Sequence, residues 1–240
     1  MRRCGHGRFR KCQIYSRVSQ RSASCLSGRV AGVLRRAGFN ARWTQSVSGK
    51  IVRATFFQRD PVTCARELIG CELSWDRCAG IIVETEAYHS VGDEACHCFI
   101  RPSARAFVER NRPGAGYIYF NYGVHWMLNV LVKGKENGFV LIRAVEPTRG
   151  IALMRKRRGV HDLHRLCSGP GKLTQAFAIT GRHHEMDLCR DEKHCFRSAD
   201  QPVGVIADQR IGIQRSAHLP WRFTLRGSAH VSRKVRSSRA

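Results

Sequence analysis

Apolar β-branched residues fill positions 81–83, and the polar residues Glu84, Thr85 and Glu86 follow them. The frequent β-branched residues predict a β-strand over residues 80–86. Because successive side chains of a strand point to opposite faces of its sheet, Glu84 and Glu86 share one face, and Tyr88 follows on that face one repeat later. Ile81, Val83 and Ala87 take the opposite face.

The next part of the chain has the pattern of a β-hairpin. Residues 116–120, which are rich in aromatic and β-branched side chains, are predicted to form one strand, and residues 124–132, where apolar side chains recur at every second position, the return strand. Tyr117 and Tyr119 share one face of the first strand. The residues between the strands have the composition of a turn, so Tyr122 is expected at the exposed tip of the hairpin.

Helix signals occur before and after these strands. Asp60 is a favourable N-cap, Pro61 suits the first helical position, and Gly70 can end the helix that follows. Further helices are predicted from Pro147 to Gly159 and over residues 172–179, and further strands over residues 139–145, 203–206, 209–213 and 221–225. Hairpins interleaved with a few helices predict an α+β fold: a single mixed domain with a mostly antiparallel curved sheet, surrounding helices and a protruding β-hairpin.

The formal net charge of the 240-residue chain is +24 at pH 7, and the excess is concentrated near the N-terminus. Residues 1–59 contain 14 Lys and Arg and no acidic residue, which leaves 28 basic and 18 acidic residues for the remainder. Such a charge favours polyanions or an anionic membrane surface. No apolar run approaches the ~18 residues that a spanning helix needs. We therefore expect a nucleic acid, and no membrane, as the partner.

The composition also suggests the domain boundaries. Residues 1–50 are rich in Arg, Ser and Gly and are predicted to be a disordered basic tail, or to result from a start codon assigned too far upstream. An organelle transit peptide is the alternative, because such peptides are also Arg-rich and acid-poor. The functional domain is expected over residues 51–234, with a short C-terminal tail over residues 235–240. For a bacterial protein the expected location is the cytoplasm, at the nucleoid.

Eleven cysteines are many for a chain of this length, but no C-x-x-C pair occurs. The nearest approach to metal-ligand spacing is the pair Cys96 and Cys98, together with the His and Cys residues between positions 183 and 195. A structural zinc site normally needs two well-spaced ligand pairs. Scattered reduced thiols and no metal site are therefore expected.

The carboxylates of the first predicted strand suit the hydrolysis of an N-glycosidic bond. This reaction passes through an oxocarbenium-like sugar, which a carboxylate can stabilise while it takes a proton from attacking water. Glu84 and Glu86 are both candidates, and an ordinary solvated or salt-bridged strand face is the alternative. Tyr88, Tyr119 and His97 offer flat surfaces on which an extruded purine recovers part of its stacking energy. Each tyrosine is alternatively a core or sheet residue.

Two further features suit DNA. An exposed aromatic residue on a tight turn, as predicted for Tyr122, can insert into the minor groove and fill the gap left by a flipped nucleotide. The turn Gly169-Pro170-Gly171, followed by Lys172, offers backbone N–H groups and a cation to a phosphate. A plain Gly-Pro turn is the alternative for this second feature.

Several of these motifs occur in the order that is typical of one enzyme family. They are E-T-E-A-Y at 84–88, D-E-A-x-H at 93–97, Y-x-Y-x-x-Y-G at 117–123, L-I-R-A-V-E-P at 141–147, C-S-G-P-x-K-L at 167–173 and R-G-S at 226–228. From about residue 56 to residue 232 the chain closely resembles the alkyladenine/3-methyladenine DNA glycosylase family, in its single-domain form rather than its helix-hairpin-helix form.

The resemblance implies a role for each matching residue. Glu86 would be the general base that activates water, Arg143 would help to fix that water, and Glu84 would be structural. The remaining implied roles are stacking of the extruded base by Tyr88, Tyr119 and His97, rejection of guanine by Asn129, base-edge contacts from the carbonyl of Ala95 and the N–H of His97, intercalation by Tyr122, and phosphate contacts from Gly171, Lys172 and Arg105.

The resemblance further implies a monofunctional DNA glycosylase of base excision repair, acting as a monomer on double-stranded DNA that contains damaged purines. No Lys stands beside the acid as a Schiff-base nucleophile, and no metal or organic cofactor is expected. The chain departs from the family after the histidine, where Ala106 replaces an Asn and Glu109 replaces a Met. The lost Asn makes an inactive relative one alternative. A non-catalytic nucleic-acid-binding module is the other, in which the charge dominates and the tyrosines only stack on bases.

Overall fold

The computed structural model describes residues 49–235. Its strands are β1 (Glu72–Trp75), β2 (Cys78–His89), β3 (Gly116–Asn121), β4 (His125–Lys133), β5 (Asn137–Arg149), β6 (His194–Arg197), β7 (Val205–Asp208) and β8 (Arg222–Leu225). Its α-helices are α1 (Pro61–Glu67), α2 (His97–Ile100), α3 (Pro102–Arg110), α4 (Ile151–Arg158) and α5 (Pro170–Phe177), with 3-10 helices at Ala54–Gln58, Leu163–Arg165 and Gly181–His183. The predicted tails lie almost wholly outside the described residues, so the domain boundaries stay a prediction.

The strands form one strongly curled antiparallel sheet, and the predicted α+β class is confirmed. The strand order is β3-β4-β5-β2-β1-β6, and β8 pairs with both β2 and β7. Strand β2 lies at the centre: β5 runs along one edge, while β1 pairs with its first half and β8 with its second half on the other edge. Register shifts between Ile82 and Thr85 in the β2–β5 pairing mark bulges, which bend and twist a sheet locally.

Helix α1 shows how the sequence specifies the packing around β2. The side chain of Asp60 accepts a hydrogen bond from the N–H of Thr63 at 2.8 Å, and Pro61 occupies the first turn, as predicted. The hydroxyl of Thr85 on β2 donates to the carbonyl of Ala65 at 2.7 Å. One face of β2 is thereby attached to α1, so the alternate residues Glu84 and Glu86 are left to the other face.

Two apolar clusters stabilise the sheet. The larger one contains side chains of α1, α4 and α5 with the central strands, and includes Phe57, Trp75 and Phe177. The smaller one joins α2 and α3 to β3, β4 and β5, and includes Phe107 and Tyr117. The segment that carries His97 is thus packed onto the strands that carry the predicted tyrosines.

Two predicted elements are wrong. The helix expected from Pro147 begins only at Ile151, because Pro147 lies in β5 opposite Gly80, where a register shift accommodates a residue without an N–H. The strand expected over residues 209–213 does not form, since the chain leaves the sheet after Asp208. Strand β1 was missed because all four of its residues are buried and no alternation marks it.

Candidate active site

Strand register places Glu86 and Asn129, two of the predicted site residues, in one row across the sheet. Tyr117 on β3 pairs with Asn129 on β4, and Asn129 pairs with Leu141 on β5. Leu141 in turn pairs with Glu86 on β2, and Glu86 pairs with Arg222 on β8. Residues that are up to 136 positions apart in sequence, Glu86 and Arg222, therefore become neighbours on one surface of the sheet.

A cavity of about 480 Å³ lies over this row. Its volume is within the range of about 300–1,000 Å³ that is usual for small-molecule sites, so it is large enough for a nucleobase. Pro170 and the segment from Ile211 to Arg215 complete the wall. Seven predicted site residues line the cavity: Tyr88, Ala95, His97, Tyr119, Tyr122, Asn129 and Arg143.

Glu86 lies directly behind the wall of this cavity. Its side chain is fully buried and is not itself among the lining residues. Its Oε2 accepts hydrogen bonds from the hydroxyl of Tyr88 at 2.8 Å and from Nη1 of Arg143 at 3.1 Å, and its Oε1 accepts from the backbone N–H of Ile211 at 2.7 Å. All three donors line the cavity, so the carboxylate is bonded directly to the cavity wall.

The carboxylate of Glu84 accepts four hydrogen bonds, one more than that of Glu86. Its Oε1 accepts from Nε of Arg143 at 3.0 Å, from Nε of Arg222 at 2.8 Å and from the hydroxyl of Ser232 at 2.8 Å, and its Oε2 accepts from the N–H of Ser232 at 2.5 Å. These contacts agree with the structural role that the sequence predicts for Glu84. Arg143 bridges the two carboxylates.

The two glutamates differ in pKa direction. Burial raises the pKa of Glu86, and this desolvation outweighs the opposing effects of Arg143, the N–H of Ile211 and the hydroxyl of Tyr88. Burial would also raise the pKa of Glu84, but Arg143 and Arg222 together outweigh it, so the pKa of Glu84 is lowered. The more basic carboxylate is therefore the one beside the cavity.

The rings of His97, Tyr117 and Tyr119 form another part of the cavity wall. The His97 and Tyr119 rings have centroids 4.5 Å apart, and the hydroxyl of Tyr117 lies 3.1 Å from Nδ1 of His97. Burial, reinforced by Arg101, lowers the pKa of His97 to about 4. The imidazole is therefore neutral near pH 7, with Nδ1 engaged by Tyr117 and Nε2 left for a ligand.

Tyr122 occupies the turn between β3 and β4, which pair as the predicted antiparallel hairpin strands. Its side chain is 91% exposed, and its backbone has a φ of 49°, in the left-handed region that is uncommon for residues other than glycine. Phe120 and Val124, on either side of it, are also exposed. A solvent-facing aromatic residue thus stands at the rim of the cavity, whereas the protrusion of the hairpin stays a prediction.

The predicted phosphate-binding residues lie outside the cavity wall. Gly171 and Lys172 follow the lining residue Pro170 at the start of α5, and a Cβ at Gly171 would lie within 2.6 Å of the ring of His125. Lys172 is exposed. Arg105 is also exposed, but its Nη1 donates to the carbonyl of Cys98 at 2.9 Å, so part of its hydrogen-bonding capacity is used at the end of α2.

A further buried ion pair, which was not predicted, is formed by Arg210 and Asp93 beside the cavity. Asp93 is the first residue of the motif D-E-A-x-H. Its Oδ1 accepts a hydrogen bond from the N–H of Ala95 at 3.1 Å. Asp commonly forms such a turn with the residue two positions later, so the sequence could have indicated this contact. Arg210 lies 117 positions away and falls in the segment that was predicted to be a strand. No local signal identifies it.

Metal sites and membrane-spanning helices were also searched for among the described residues. Within residues 49–235, no group of three or more His, Cys, Asp or Glu side chains is arranged to hold a metal ion. In the same part of the chain, no helix combines the length and the apolarity needed to cross a bilayer. The eight cysteines there are free and buried: Cys64, Cys71, Cys78, Cys96, Cys98, Cys167, Cys189 and Cys195.

A buried carboxylate with a raised pKa, an adjacent arginine and an aromatic cavity of nucleobase size define a hydrolase-type site for a flat ring. Residues 55–229 match the methylpurine-DNA glycosylase family. The chain belongs to this family and is a DNA glycosylase, an enzyme of DNA repair.

Curated relatives agree with this assignment. A protein from Rhizobium etli is 44% identical over 191 residues, which cover 80% of this chain and 93% of the relative. One from Nitrobacter winogradskyi is 42% identical over 193 residues, covering 80% and 92%. One from Agrobacterium fabrum is 44% identical over 192 residues, covering 79% and 96%. All three are provisionally named 3-methyladenine DNA glycosylase.

Proposed function

We propose that this protein is a monofunctional glycosylase that flips a damaged purine out of duplex DNA and hydrolyses its bond to the sugar. The proposed substrates are alkylated purines such as 3-methyladenine, together with hypoxanthine and ethenoadenine. The observation that carries the proposal is the position of Glu86, because a buried carboxylate is held by three groups that all line an aromatic cavity.

In the proposed reaction Glu86 is the general base. Water approaches from the cavity between Tyr88, Arg143 and Ile211, gives a proton to the carboxylate, and its oxygen bonds to the anomeric carbon. The bond from this carbon to the purine nitrogen breaks, and its electron pair leaves with the base. A cationic alkylated purine leaves as a neutral base, whereas a neutral lesion also needs a proton on its ring. The product is an abasic site.

Recognition of the base is assigned to the residues around the cavity. Tyr88 and Tyr119 would stack on the purine, and neutral His97 would contact its edge with Nε2. Asn129 lies on the sheet surface beneath, where its Nδ2 donates to the carbonyl of Tyr117 at 3.2 Å. This contact fixes the side chain in one orientation, which supports its proposed role in rejecting the exocyclic amino group of guanine.

Duplex contacts are assigned to the exposed surface beside the cavity. Tyr122 would insert into the stack where the purine has left it, and its exposure supports this role. Lys172, the N–H of Gly171 and the free part of the Arg105 guanidinium would contact phosphates. We also propose that the protein acts as a monomer. Because the curated relatives compared are bacterial, we propose a cytoplasmic location.

The test is incubation of the full chain with a duplex that contains one hypoxanthine or one 3-methyladenine. We expect free base and alkali-labile abasic sites, and no strand break before alkali treatment. Strand breaks without alkali would refute the monofunctional mechanism. Tight duplex binding without base release would instead identify a non-catalytic module or an inactive relative. Ala106 and Glu109, the two departures from the family, are exposed on α3 and do not line the cavity, so neither changes its wall.

A further inference from the structure

Arg210 donates four hydrogen bonds in the interior of the protein. Its side chain is fully buried, and its Nη1 and Nη2 donate to the two oxygens of Asp93 at 2.6 and 2.8 Å. The same two nitrogens also donate to the carbonyl of Ala87 at 2.9 Å and to that of Ser216 at 3.1 Å. Three separate segments are thereby joined at one guanidinium, in the two-pronged geometry that only Arg provides.

The guanidinium of Arg210 also lies against the ring of Tyr88. Its central carbon is 4.7 Å from the centroid of that ring and 5.3 Å from the centroid of Trp221. Both distances are within the range of cation–π attraction. Tyr88 lines the cavity and Arg210 does not, so the contact supports the proposed stacking ring from behind.

Asp93 extends this support to the segment that carries His97. Its oxygens accept from the N–H of His89 and from the N–H of Ala95, both at 3.1 Å. These bonds fix the turn that precedes α2, and both Ala95 and His97 line the cavity. Without Arg210 the buried carboxylate of Asp93 would lose its counter-charge, so the turn depends on the ion pair.

The residue after Arg210 provides a direct link to Glu86. The N–H of Ile211 donates to Oε1 of Glu86 at 2.7 Å, and Ile211 lines the cavity. The position of this N–H is fixed by the preceding side chain, because Arg210 is bonded to β2 through Ala87 and to its own loop through Ser216.

We propose, resting on the function proposed above, that Arg210 is a positioning residue for base excision. It fixes the relative positions of the Tyr88 ring, the turn at Asp93 and the N–H of Ile211. In this way it sets the orientation of the Glu86 carboxylate toward the cavity. It touches neither the base nor the sugar. Its loss should therefore slow the chemical step much more than it weakens binding to DNA.

The test compares Arg210→Lys with wild-type in single-turnover release of hypoxanthine at saturating enzyme, over a range of pH. Lys retains the charge but cannot make the two-pronged contacts. We expect base release to fall by about tenfold or more, with affinity for an undamaged duplex unchanged within about twofold. The acidic limb of the pH–rate profile should also move to higher pH, because the bond from Ile211 that lowers the pKa of Glu86 is weakened. The titratable and charged groups that otherwise face Glu86 are Arg143, Glu84, Tyr88 and Tyr119, and all are unchanged in the variant.

Two more variants complete the experiment. Asp93→Asn removes the partner charge at nearly constant size and should reproduce both effects, which keeps the proposal testable if Arg210→Lys folds poorly. Arg149→Lys is the matched control, since Arg149 lies in the same sheet, bonds Ser74 at 3.1 Å and does not line the cavity. Release within twofold of wild-type and an unmoved acidic limb, in folded Arg210→Lys or Asp93→Asn, would overturn the proposal. Wild-type activity in the same assay tests the proposed function separately.

Discussion

Replacing Glu86 by Gln removes the charge of the proposed general base while keeping the shape of its side chain. In the wild-type protein both oxygens only accept: Oε2 from Tyr88 and Arg143, and Oε1 from Ile211. A Gln side chain has one acceptor oxygen, and its other terminal atom is a donor. If the oxygen stays opposite Tyr88 and Arg143, the NH₂ group faces the N–H of Ile211, and two donors meet without an acceptor.

The structure therefore predicts two separate losses. One buried donor left without a partner costs about 1–3 kcal/mol of folding free energy. For a domain of this size that lowers Tm by roughly 2–12 °C. The loss in catalysis is larger, because a positioned general base contributes about 10²–10⁴-fold to the rate. Arg143 still pairs with Glu84 in the variant, so the cavity wall should be retained.

Single-turnover release of hypoxanthine from a duplex measures the chemical step, and a gel-shift titration with the same duplex measures binding. We expect Glu86→Gln to release base about 10²–10⁴-fold more slowly. Glu67→Gln is the matched control, because it removes the same charge from an exposed residue of α1 that pairs with Arg59. Release by a folded Glu86→Gln protein at the wild-type rate would refute the assignment of Glu86 as the base.

Three further predictions concern DNA and pH. Tyr122→Ala should weaken capture of a lesion duplex by about tenfold, since one stacked base is worth about 1–3 kcal/mol. Its Tm should not change, because the side chain is 91% exposed; unchanged capture would remove the intercalating role. Base release should fall as pH decreases through the pKa of Glu86, which burial raises above the usual value of a glutamate, since only the ionised carboxylate takes a proton; an acidic limb that stays unchanged in Glu86→Gln would point to another group. Affinity for undamaged duplex should fall about tenfold or more between roughly 50 and 200 mM salt, and a flat response would contradict phosphate binding by the basic residues.

The parts of the site that the sequence could predict are those that depend on local periodicity. The strand period placed Glu84 and Glu86 on one face of β2, and the turn composition placed Tyr122 at an exposed tip. Helix α1 could also be predicted, because its capping contact joins residues only three positions apart. In each case the decisive interaction is local.

The parts that could not be predicted depend on contacts between distant segments. Arg210 meets Asp93 across 117 positions, and Ser232 meets Glu84 across 148. Which arginine reaches which carboxylate is decided by the register of β8 on β2 and by the path of the loop after β7, and no periodicity encodes either. Pro147 failed as a helix signal for a related reason, since a bulge of the sheet accepts it.

The different roles proposed for Glu84, which is structural, and for Glu86, which is the base, follow from these distant contacts. Both are buried glutamates on the same face of one strand, and both contact Arg143. Glu84 has a second arginine and both donors of Ser232, so it stays ionised but has little freedom to accept another proton. Glu86 shares a single arginine, and burial raises its pKa. A carboxylate whose pKa is raised toward the working pH is a stronger base, and neighbouring carboxylates with opposite shifts typically divide structural and chemical roles. The register that brings Arg222 to Glu84 therefore also leaves Glu86 as the carboxylate that we propose as the base.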